Sequence, residues 1–312
     1  MQPVTLLLPI RNGELFVDGI IRTMVSNSLS IDEILIINDG STDKTLKLLE
    51  FWATREPRIR LVSTEGIGLV QSLNLGFSES KNSWIARFDA DDRYEIDRLQ
   101  KQRELIGGNI SVIFADYSIY LNGKKFAGTI SSPVNHDATL LSLLNSQQTA
   151  HPVSLINKEK FNLSGGYLES EFPAEDLGLW ARMSRHGQLI SCPENLFSYS
   201  LSKTSVSAVR RKEALQKKKE IVQTLLPDLR TSFNSRSTTL SIFNSYSGLP
   251  LEAERKILFI RNLRSLKNTT GIKTDVEGKR LPNFYWYLIF HPFKILTFLL
   301  FQIMRNRFRK AA

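Results

Sequence analysis

The chain has 312 residues, of which 42% are hydrophobic, and a formal net charge of +10. A chain of this length can bury a full core and form one large domain with an appendage. Its single cysteine, Cys192, excludes an intramolecular disulfide and indicates a reducing compartment. No basic segment with an apolar stretch and a cleavage site precedes the first strand pattern, so we expect no signal peptide and a cytoplasmic protein.

The positive charge is concentrated in the last third of the sequence. Residues 1–200 have a net charge of −5, whereas residues 201–312 have a net charge of +15. This asymmetry indicates a near-neutral globular part joined to a basic segment that binds a polyanion, either nucleic acid or an anionic lipid surface.

The first part of the chain alternates short apolar runs with helical patterns. We predict strands at residues 4–8, 33–37, 59–63, 84–88 and 112–115, and helices at residues 14–27, 43–53, 68–80 and 97–105. Runs that are apolar throughout are typical of strands covered on both faces. The pattern therefore predicts an α/β fold with a mainly parallel, doubly wound sheet.

The pattern changes after Tyr117. A turn signal at Asn122 and Gly123 predicts a hairpin between residues 119–121 and 125–128. We then predict a helix at 137–145, an apolar strand at 152–156 and a helix at 174–185. From about Ser207 the chain becomes helical and basic, with few strand signals.

Three polar segments follow predicted strands. They are residues 9–13 after the first strand, residues 38–43 after the second, and the acidic cluster Asp89, Asp91 and Asp92 after the fourth. Ligands of doubly wound sheets bind beyond the carboxyl ends of the strands. We therefore expect the three segments to meet in one site at this edge.

The acidic cluster indicates a metal site. Crowded like charges repel one another, and a hard cation between the carboxylates and a bound phosphate group relieves that repulsion. Asp89, Asp91 and Asp92 would together hold Mg²⁺ or Mn²⁺, which offsets charge on a departing nucleoside diphosphate. The alternative is a solvated acidic turn before the next helix.

Asp39 is the candidate for nucleotide recognition in the second segment. Gly40 permits a tight turn from strand to helix, and Asp39 is left facing the ligand edge. A carboxylate there can accept a hydrogen bond from a base imide N–H or from ribose hydroxyls. A plain capped turn is the alternative.

Four motifs follow one another along residues 4–103. They are Leu8 and Pro9 with residues 12–14 (Asn-Gly-Glu), residues 38–43 (Asn-Asp-Gly-Ser-Thr-Asp), Gly68 with Leu73, Asn74 and Gly76, and residues 85–92 (Ile-Ala-Arg-Phe-Asp-Ala-Asp-Asp). In this order and spacing they resemble the inverting family 2 glycosyltransferases of bacterial glycan biosynthesis. The resemblance implies a GT-A fold, a nucleotide-sugar donor, and Mn²⁺ or Mg²⁺ bound by Asp91 and Asp89.

The resemblance also implies a set of nucleotide-binding residues. They are Pro9, Arg11, Asn12, Glu14, Asp39, Gly68, Asn74, Arg87 and Asp89. Many relatives carry an aromatic residue where Arg11 stands and an Asp where Asn38 stands; an Arg can also stack on a base. Arg87 either neutralises phosphate or pairs with a nearby Asp.

A fifth motif covers residues 165–167 and 173–180. It resembles the family's acceptor side, where an Asp at a helix start is the general base, and this implies Asp176 as the base with Glu175 beside it. The alternative is that both carboxylates complement the helix dipole. The resemblance places His151 and Trp180 in the sugar and acceptor site, and a structural role is the alternative for His151.

Residues 284–304 form an aromatic-rich apolar stretch that precedes four basic residues between 305 and 310. The stretch is long enough to span a bilayer, but His291, Pro292 and Lys294 lie in its middle, where charge and helix breaking are costly. We predict a broken helix in the membrane interface. A membrane span and a buried core or oligomer contact are the alternatives.

Together these features predict a GT-A catalytic domain at 1–205, with a nucleotide half at about 1–117 and an acceptor half at about 118–205. A basic helical extension follows at 206–282, and a membrane-associating segment at 283–312. The predicted function is transfer of a hexosyl or N-acetylhexosaminyl group from a UDP-sugar to a hydroxyl of a glycan or lipid-linked acceptor, with inversion, in cell-surface polysaccharide synthesis at the inner face of the membrane. A nucleotidyltransferase of similar fold and a non-catalytic nucleotide-binding or membrane scaffold are the rivals. Nucleic-acid binding by the basic segment is a third candidate that we do not expect.

Overall fold

The computed structural model describes residues 2–121, 125–143, 149–201 and 210–232. Its strands are β1 (Val4–Ile10), β2 (Glu33–Asp39), β3 (Ile59–Thr64), β4 (Trp84–Arg87), β5 (Arg93–Tyr94), β6 (Ile110–Leu121), β7 (Lys125–Ile130), β8 (Leu155–Asn157) and β9 (Gln188–Leu201). Its helices are α1 (Val17–Asn27), α2 (Thr45–Ala53), α3 (Leu69–Glu79), α4 (Arg98–Arg103), α5 (His136–Leu143), α6 (Lys158–Leu163), α7 (Glu175–Met183) and α8 (Arg211–Ser232). Two short 3₁₀ turns lie at His151–Val153 and Glu169–Glu171.

The described strands form one sheet in the order β3-β2-β1-β4-β8-β6-β9-β5, with β7 paired to β6. Strands β1 to β4 pair in parallel, as predicted for the nucleotide half. After β4 the sheet is mixed, because β8 runs antiparallel to both β4 and β6 whereas β9 runs parallel to β6. The predicted α/β architecture with a mainly parallel sheet is confirmed.

Helices cover both faces of the sheet and create two apolar cores. Side chains alternate between the faces of a strand: in β1, Leu7 packs with residues of α3, α5, α6, α7 and α8, whereas Leu6 and Leu8 pack with residues of α1, α2 and α4. Every residue of β1 and β2 is buried. This two-sided burial explains why these strands are apolar along their whole length.

From residue 110 onward the structure departs from the predicted elements in several places. The run at 112–115 is part of the twelve-residue strand β6. The predicted strand at 152–156 begins as a 3₁₀ turn that contains Pro152, which has no backbone N–H, and becomes strand only at Leu155. Strand β9 was missed because Pro-Glu-Asn at 193–195 interrupts its apolar residues, and its pairing with β6 shifts register on either side of Pro193.

Helix α8 covers the start of the predicted basic extension and packs against the catalytic part of the chain. Its Ile221 and Val222 are buried in the same core as Leu177 and Trp180 of α7. Among the described residues, no helix is both long and apolar enough to cross a membrane. The predicted membrane-associating segment at 283–312, the hairpin turn at Asn122 and Gly123, and the end of the helix predicted at 137–145 lie outside the described residues.

Candidate active site

The carboxyl ends of β1, β2 and β4 lie side by side, because β1 pairs in parallel with both other strands. Ile10 is in register with Asn38, and Leu7 is in register with Arg87. The three polar segments that follow these strands therefore leave the sheet at a common edge. The charges of Asp89 and Arg87, at the end of β4, also act on Glu175 at the start of α7.

Asp39 anchors the turn between β3 and α3. Its Oδ1 accepts hydrogen bonds from Thr64 Oγ1 at 2.8 Å and Ile67 N at 2.7 Å, and its Oδ2 accepts one from Gly68 N at 3.0 Å. Burial raises the pKa of the Asp39 carboxyl, but these hydrogen bonds outweigh burial and leave the pKa below its usual range. Asp39 is therefore ionised and joins the ends of β2 and β3 into one rigid rim.

Asn12 and Glu14 join the first polar segment to the second. Asn12 has a positive φ of 51°, and its Oδ1 accepts a hydrogen bond from Thr42 N at 2.8 Å. Glu14 Oε2 accepts one from Lys44 N at 3.0 Å, at the start of α2. The side chains of these two residues thus hold the loop after β1 against the loop after β2.

Arg11 lies on the rim that Asp39 organises. Its side chain is exposed, and its Nη1 is 3.3 Å from the position that a Cβ on Gly66 would occupy. Gly66 has a φ of 88°, which favours glycine, and its lack of a side chain leaves room for the guanidinium. Pro9 lies inside β1, paired with Ile37.

The acidic cluster is crowded and partly braced. Asp89 Oδ1 is 2.6 Å from the buried Arg87 Nη2, and Asp92 Oδ1 accepts a hydrogen bond from Ser200 N at 3.0 Å. Burial, with the charges of Asp89 and Asp91, raises the pKa of Asp92 to about 9. The pKa of Asp91 is also raised, by its enclosed position in the cleft and by the charge of Asp89, although solvent reaches its side chain.

The acidic cluster fits a divalent cation by its charge and its donor atoms. Mg²⁺ is bound in many enzymes by one or two carboxylates and by substrate phosphates rather than by a complete protein cage. Within the described ranges, no three His, Cys, Asp or Glu side chains are grouped so that they could hold a metal ion, so Asp89, Asp91 and Asp92 do not form a preformed three-carboxylate site. The mutual repulsion of the aspartates is the feature that a cation would relieve.

Tyr94 and Arg98 support the acidic cluster, and no sequence motif indicated either residue. Asp89 N donates a hydrogen bond to Tyr94 Oη at 2.6 Å. The buried Arg98 guanidinium lies 4.4 Å from the Phe88 ring centroid and 4.9 Å from that of Tyr94, and donates to Arg87 O at 3.0 Å. The sequence does show an aromatic residue and an Arg soon after the acidic turn. That pattern is also common on protein surfaces, and only the burial of Tyr94 and Arg98 in the structure reveals their supporting role.

The floor of the cleft is a hydrogen-bonded group around Tyr167. His151 Nε2 lies 2.7 Å from Tyr167 Oη. Burial, with the charge of Arg87, holds the pKa of His151 well below its usual range, so the ring is neutral. Asn74 Nδ2 donates to Tyr167 O at 2.9 Å, and Asn74 Oδ1 accepts from Tyr167 N at 2.9 Å. In this structure, Asn74 therefore holds the acceptor half against α3.

Trp180 lies beneath this floor. It is fully buried, with its ring centroid 5.0 Å from that of Phe114 and 5.8 Å from that of His151. In this position Trp180 supports His151 from below.

Glu175 and Asp176 stand at the first turn of α7. Asp176 Oδ1 accepts a hydrogen bond from Leu177 N at 2.7 Å. Burial, followed by the charge of Asp176, raises the pKa of Glu175 to about 7. Burial also raises the pKa of Asp176, and the charge of Lys218 on α8 opposes that effect. The first turn of α7 thus carries two carboxylates of increased basicity, separate from the acidic cluster after β4.

A comparison with protein families assigns the first half of the chain to a known family. Residues 5–159 match the family described as "Glycosyl transferase family 2". The chain is 23% identical to chondroitin synthase from Escherichia coli over 184 residues, which are 59% of this chain and 27% of the synthase. The match therefore covers about a quarter of that relative.

Two solved structures have a similar fold. S. aureus TarS 1-349 in complex with UDP-GlcNAc aligns with a TM-score of 0.59 and 14% identity, over 85% of this chain and 80% of that one. Mannosyltransferase PcManGT from Pyrobaculum calidifontis, in complex with GDP-Man and Mn²⁺, aligns with a TM-score of 0.56 and 15% identity, over 92% of this chain and 84% of that one. At these identities the likeness establishes the fold.

Proposed function

The chain belongs to glycosyltransferase family 2 and has the GT-A fold, and from this premise we propose that it transfers a sugar from a UDP-sugar to a hydroxyl of a glycan or lipid-linked acceptor. Inversion at the anomeric carbon and a role in cell-surface polysaccharide synthesis are part of the proposal. The match to chondroitin synthase supports a polysaccharide acceptor, although it covers only 27% of that protein.

One observation carries the proposal: two separate sets of carboxylates lie within electrostatic reach of each other. The acidic cluster follows β4, the pair Glu175 and Asp176 begins α7, and the charge of Asp89 acts on Glu175. Transfer of a sugar from a diphosphate needs a group to stabilise the leaving diphosphate and a base for the acceptor hydroxyl. In this proposal, the acidic cluster stabilises the leaving diphosphate, and the pair at the start of α7 supplies the base.

On the donor side, we assign the nucleotide to the rim formed by Arg11, Asp39 and Gly68. The ionised Asp39 can accept a hydrogen bond from the ribose or the base. The exposed Arg11 guanidinium offers a flat cationic surface on which a base can stack. The UDP-GlcNAc bound by TarS supports a UDP-sugar, and the GDP-Man bound by PcManGT makes a GDP-sugar the competing donor to test.

Asp89 and Asp91 would hold the metal ion, for which the Mn²⁺ bound by PcManGT is a precedent in this fold. Bound there, Mn²⁺ or Mg²⁺ would offset the charge that develops on the departing diphosphate. The chain's own contribution is the position of these carboxylates. Arg87 fixes Asp89 through the 2.6 Å ion pair, and Tyr94 fixes the backbone of Asp89.

On the acceptor side, we propose Asp176 as the general base. A base for a hydroxyl must be ionised and must gain basicity from its environment, and burial raises the pKa of Asp176 in this way. Glu175, with its pKa raised to about 7, can hold a proton near neutral pH and donate a hydrogen bond to the sugar or the acceptor. His151 can contribute a hydrogen bond from the floor.

We also propose that the chain works at the inner face of the cell membrane. The support is the net charge of +15 over residues 201–312 and the aromatic-rich stretch at 284–304. A basic and aromatic segment of this kind binds anionic lipid surfaces.

The function is tested by a donor screen of the full chain. UDP- and GDP-sugars are supplied with Mn²⁺, Mg²⁺ or EDTA, and released nucleoside diphosphate is measured. We expect release from a UDP-sugar that EDTA abolishes and Mn²⁺ or Mg²⁺ restores. Release of a nucleoside triphosphate and a sugar 1-phosphate when pyrophosphate is added to the NDP-sugar would indicate a nucleotidyltransferase, and no turnover with any donor would indicate a scaffold.

A further inference from the structure

Helix α8 runs alongside α7 in the same direction. Before α7 begins, Phe172 has the Arg210 guanidinium 5.1 Å from its ring centroid. After α7 ends, Arg185 Nη2 donates a hydrogen bond to Thr224 O at 3.3 Å. The first half of α8 therefore lies beside the start of α7, where Asp176 stands.

Lys218 lies on the face of α8 that packs against the domain. Ala214, Ile221 and Val222 are buried on this face, and Lys218 shares their stripe because it is four residues from Ala214 and three from Ile221. The Lys218 side chain is half-buried. Long helical side chains point back toward the helix N-terminus, which here is the direction of the Asp176 end of α7.

The neighbouring lysines of α8 have different surroundings. Lys217 Nζ forms an ion pair with Glu220 at 2.8 Å, and Lys219 is exposed to solvent. An apolar residue at position 218 would complete the stripe, so packing alone does not explain a lysine there.

The groups that face Asp176 come from four parts of the chain. Glu175 precedes it on α7, Tyr167 lies on the floor, Tyr117 lies on β6, and Lys218 lies on α8; the charge of Asp176 acts on both tyrosines. Arg87 and Asp89 act on Glu175 from the far side of the cleft. Lys218 thus contributes a positive charge from α8, and that charge opposes the effect of burial on the pKa of Asp176.

We propose that Lys218 is a positioning residue for the acceptor base: the charge of its ammonium, held on α8, acts on Asp176 and keeps the half-buried carboxylate ionised. The proposal rests on the proposed function, in which Asp176 removes the acceptor proton. It makes α8 part of the acceptor site rather than a separate basic extension.

A titration that needs no substrate tests the contact. The full chain is labelled with ¹³C at the aspartate carboxyl carbons, and the Asp176 signal is assigned with Asp176→Asn. Lys218→Met keeps the alkyl stem and removes the charge, so we expect the pKa of Asp176 to rise by about 1 pH unit. Lys218→Arg keeps the charge and Lys219→Met removes an exposed one, so both should titrate like the unmodified chain. An unchanged Asp176 pKa in Lys218→Met, or an equal rise in Lys219→Met, would overturn the proposal.

Rate measurements on the same variants test the consequence. The acid limb of the pH profile for nucleoside diphosphate release should move to higher pH in Lys218→Met, with roughly tenfold slower turnover below the limb. Equal loss of activity at every pH, with the limb in place, would mean that Lys218 is merely structural. If the unmodified chain releases no nucleoside diphosphate while the carboxyl shift is present, the proposed function is overturned and the contact between Lys218 and Asp176 stands.

Discussion

At Asp176, the environment changes the acidity of one carboxyl in two directions. Burial raises its pKa, whereas the charge of Lys218 and the hydrogen bond from Leu177 N lower it. A base in this position is more basic than a free aspartate, and the charge of Lys218 favours its ionised form. Its proposed role can be separated from donor binding, because the carboxylates that we assign to the donor lie at the ends of β2 and β4, whereas Asp176 lies on α7.

Asp176→Asn should therefore slow sugar transfer by roughly 10²–10⁴-fold, the usual contribution of a general base. Donor affinity, measured by calorimetry with the UDP-sugar and Mn²⁺, should stay nearly unchanged. Glu169→Gln, an exposed acid ahead of α7, is the matched control and should leave both quantities alone. Parallel losses of transfer and donor affinity in Asp176→Asn would contradict the assignment.

Glu175 gives a prediction about pH and stability. Its pKa is raised from 4.5 to about 7 in the folded chain, so ionising it costs folding free energy. Below pH 4.5 the group is protonated in both states and contributes nothing; the cost grows as the pH rises and is complete above about pH 7. Glu175→Gln should therefore raise the unfolding free energy by roughly 1–3 kcal/mol at alkaline pH and leave it unchanged in acid.

Thermal unfolding without metal, followed across this pH range, measures the effect. The exposed Glu169→Gln again serves as the control, because its carboxyl is in water in both states. A gain in melting temperature that does not depend on pH would show that the Glu175 carboxyl is not the source.

At the scale of elements, the position of α3 decides how the rim and the floor meet. Gly76 of α3 lies directly over β1: a Cβ there would be 2.4 Å from Leu7 Cδ1 and 2.8 Å from Leu7 Cδ2. Leu7 is fully buried and has little room to move. Just before this helix, Gly68 N donates a hydrogen bond to Asp39. Within the helix, the Asn74 side chain donates one to Tyr167 O. Close packing at Gly76 therefore positions both sides of the cleft.

Gly76→Ala should lower the unfolding free energy by about 1–3 kcal/mol through overpacking. Gly19→Ala on α1 is the matched control: its Cβ would have nothing within 4 Å, and it should stabilise the helix by about 0.5–1 kcal/mol. The urea midpoints of the two variants should move in opposite directions. A shift of both midpoints in the same direction would contradict the close approach of α3 to β1.

At the scale of the whole molecule, the charge is divided between a near-neutral catalytic part and a basic end. The +15 charge of residues 201–312 begins on α8, where lysines surround a buried stripe. Most of that charge lies beyond residue 232, outside the described residues. We propose that this end concentrates the enzyme at an anionic surface, where a lipid-linked acceptor would lie.

Replacing Arg305, Arg307 and Arg309 with Gln should weaken binding to phosphatidylserine vesicles roughly a hundredfold, at about 1 kcal/mol per basic residue. Co-sedimentation at low and high salt measures this binding, and vesicles of neutral lipid are the control. Salt-sensitive retention on RNA without retention on anionic vesicles would favour a nucleic-acid partner instead.

The amino-acid sequence by itself determined the family, the positions and parallel pairing of the strands in the nucleotide half, and the polar segments that end them. These features are local, because continuous apolar runs, a glycine turn and an acidic cluster can each be read within a few neighbouring residues. Strand β9 could not be predicted in this way, because its pairing with β6 continues across the internal Pro-Glu-Asn at 193–195.

Only the tertiary structure decided what each polar side chain does. Asn12, Glu14 and Asn74 use their side chains to bind other loops, Trp180 supports the floor from the core, and Arg98 and Lys218 come near the site from helices that carry no motif. The physical reason is that burial and electrostatic interactions depend on distances in the folded structure and not on separation along the chain. The acidity of Asp176 depends on a lysine 42 positions away along the chain, and only folding brings the two together.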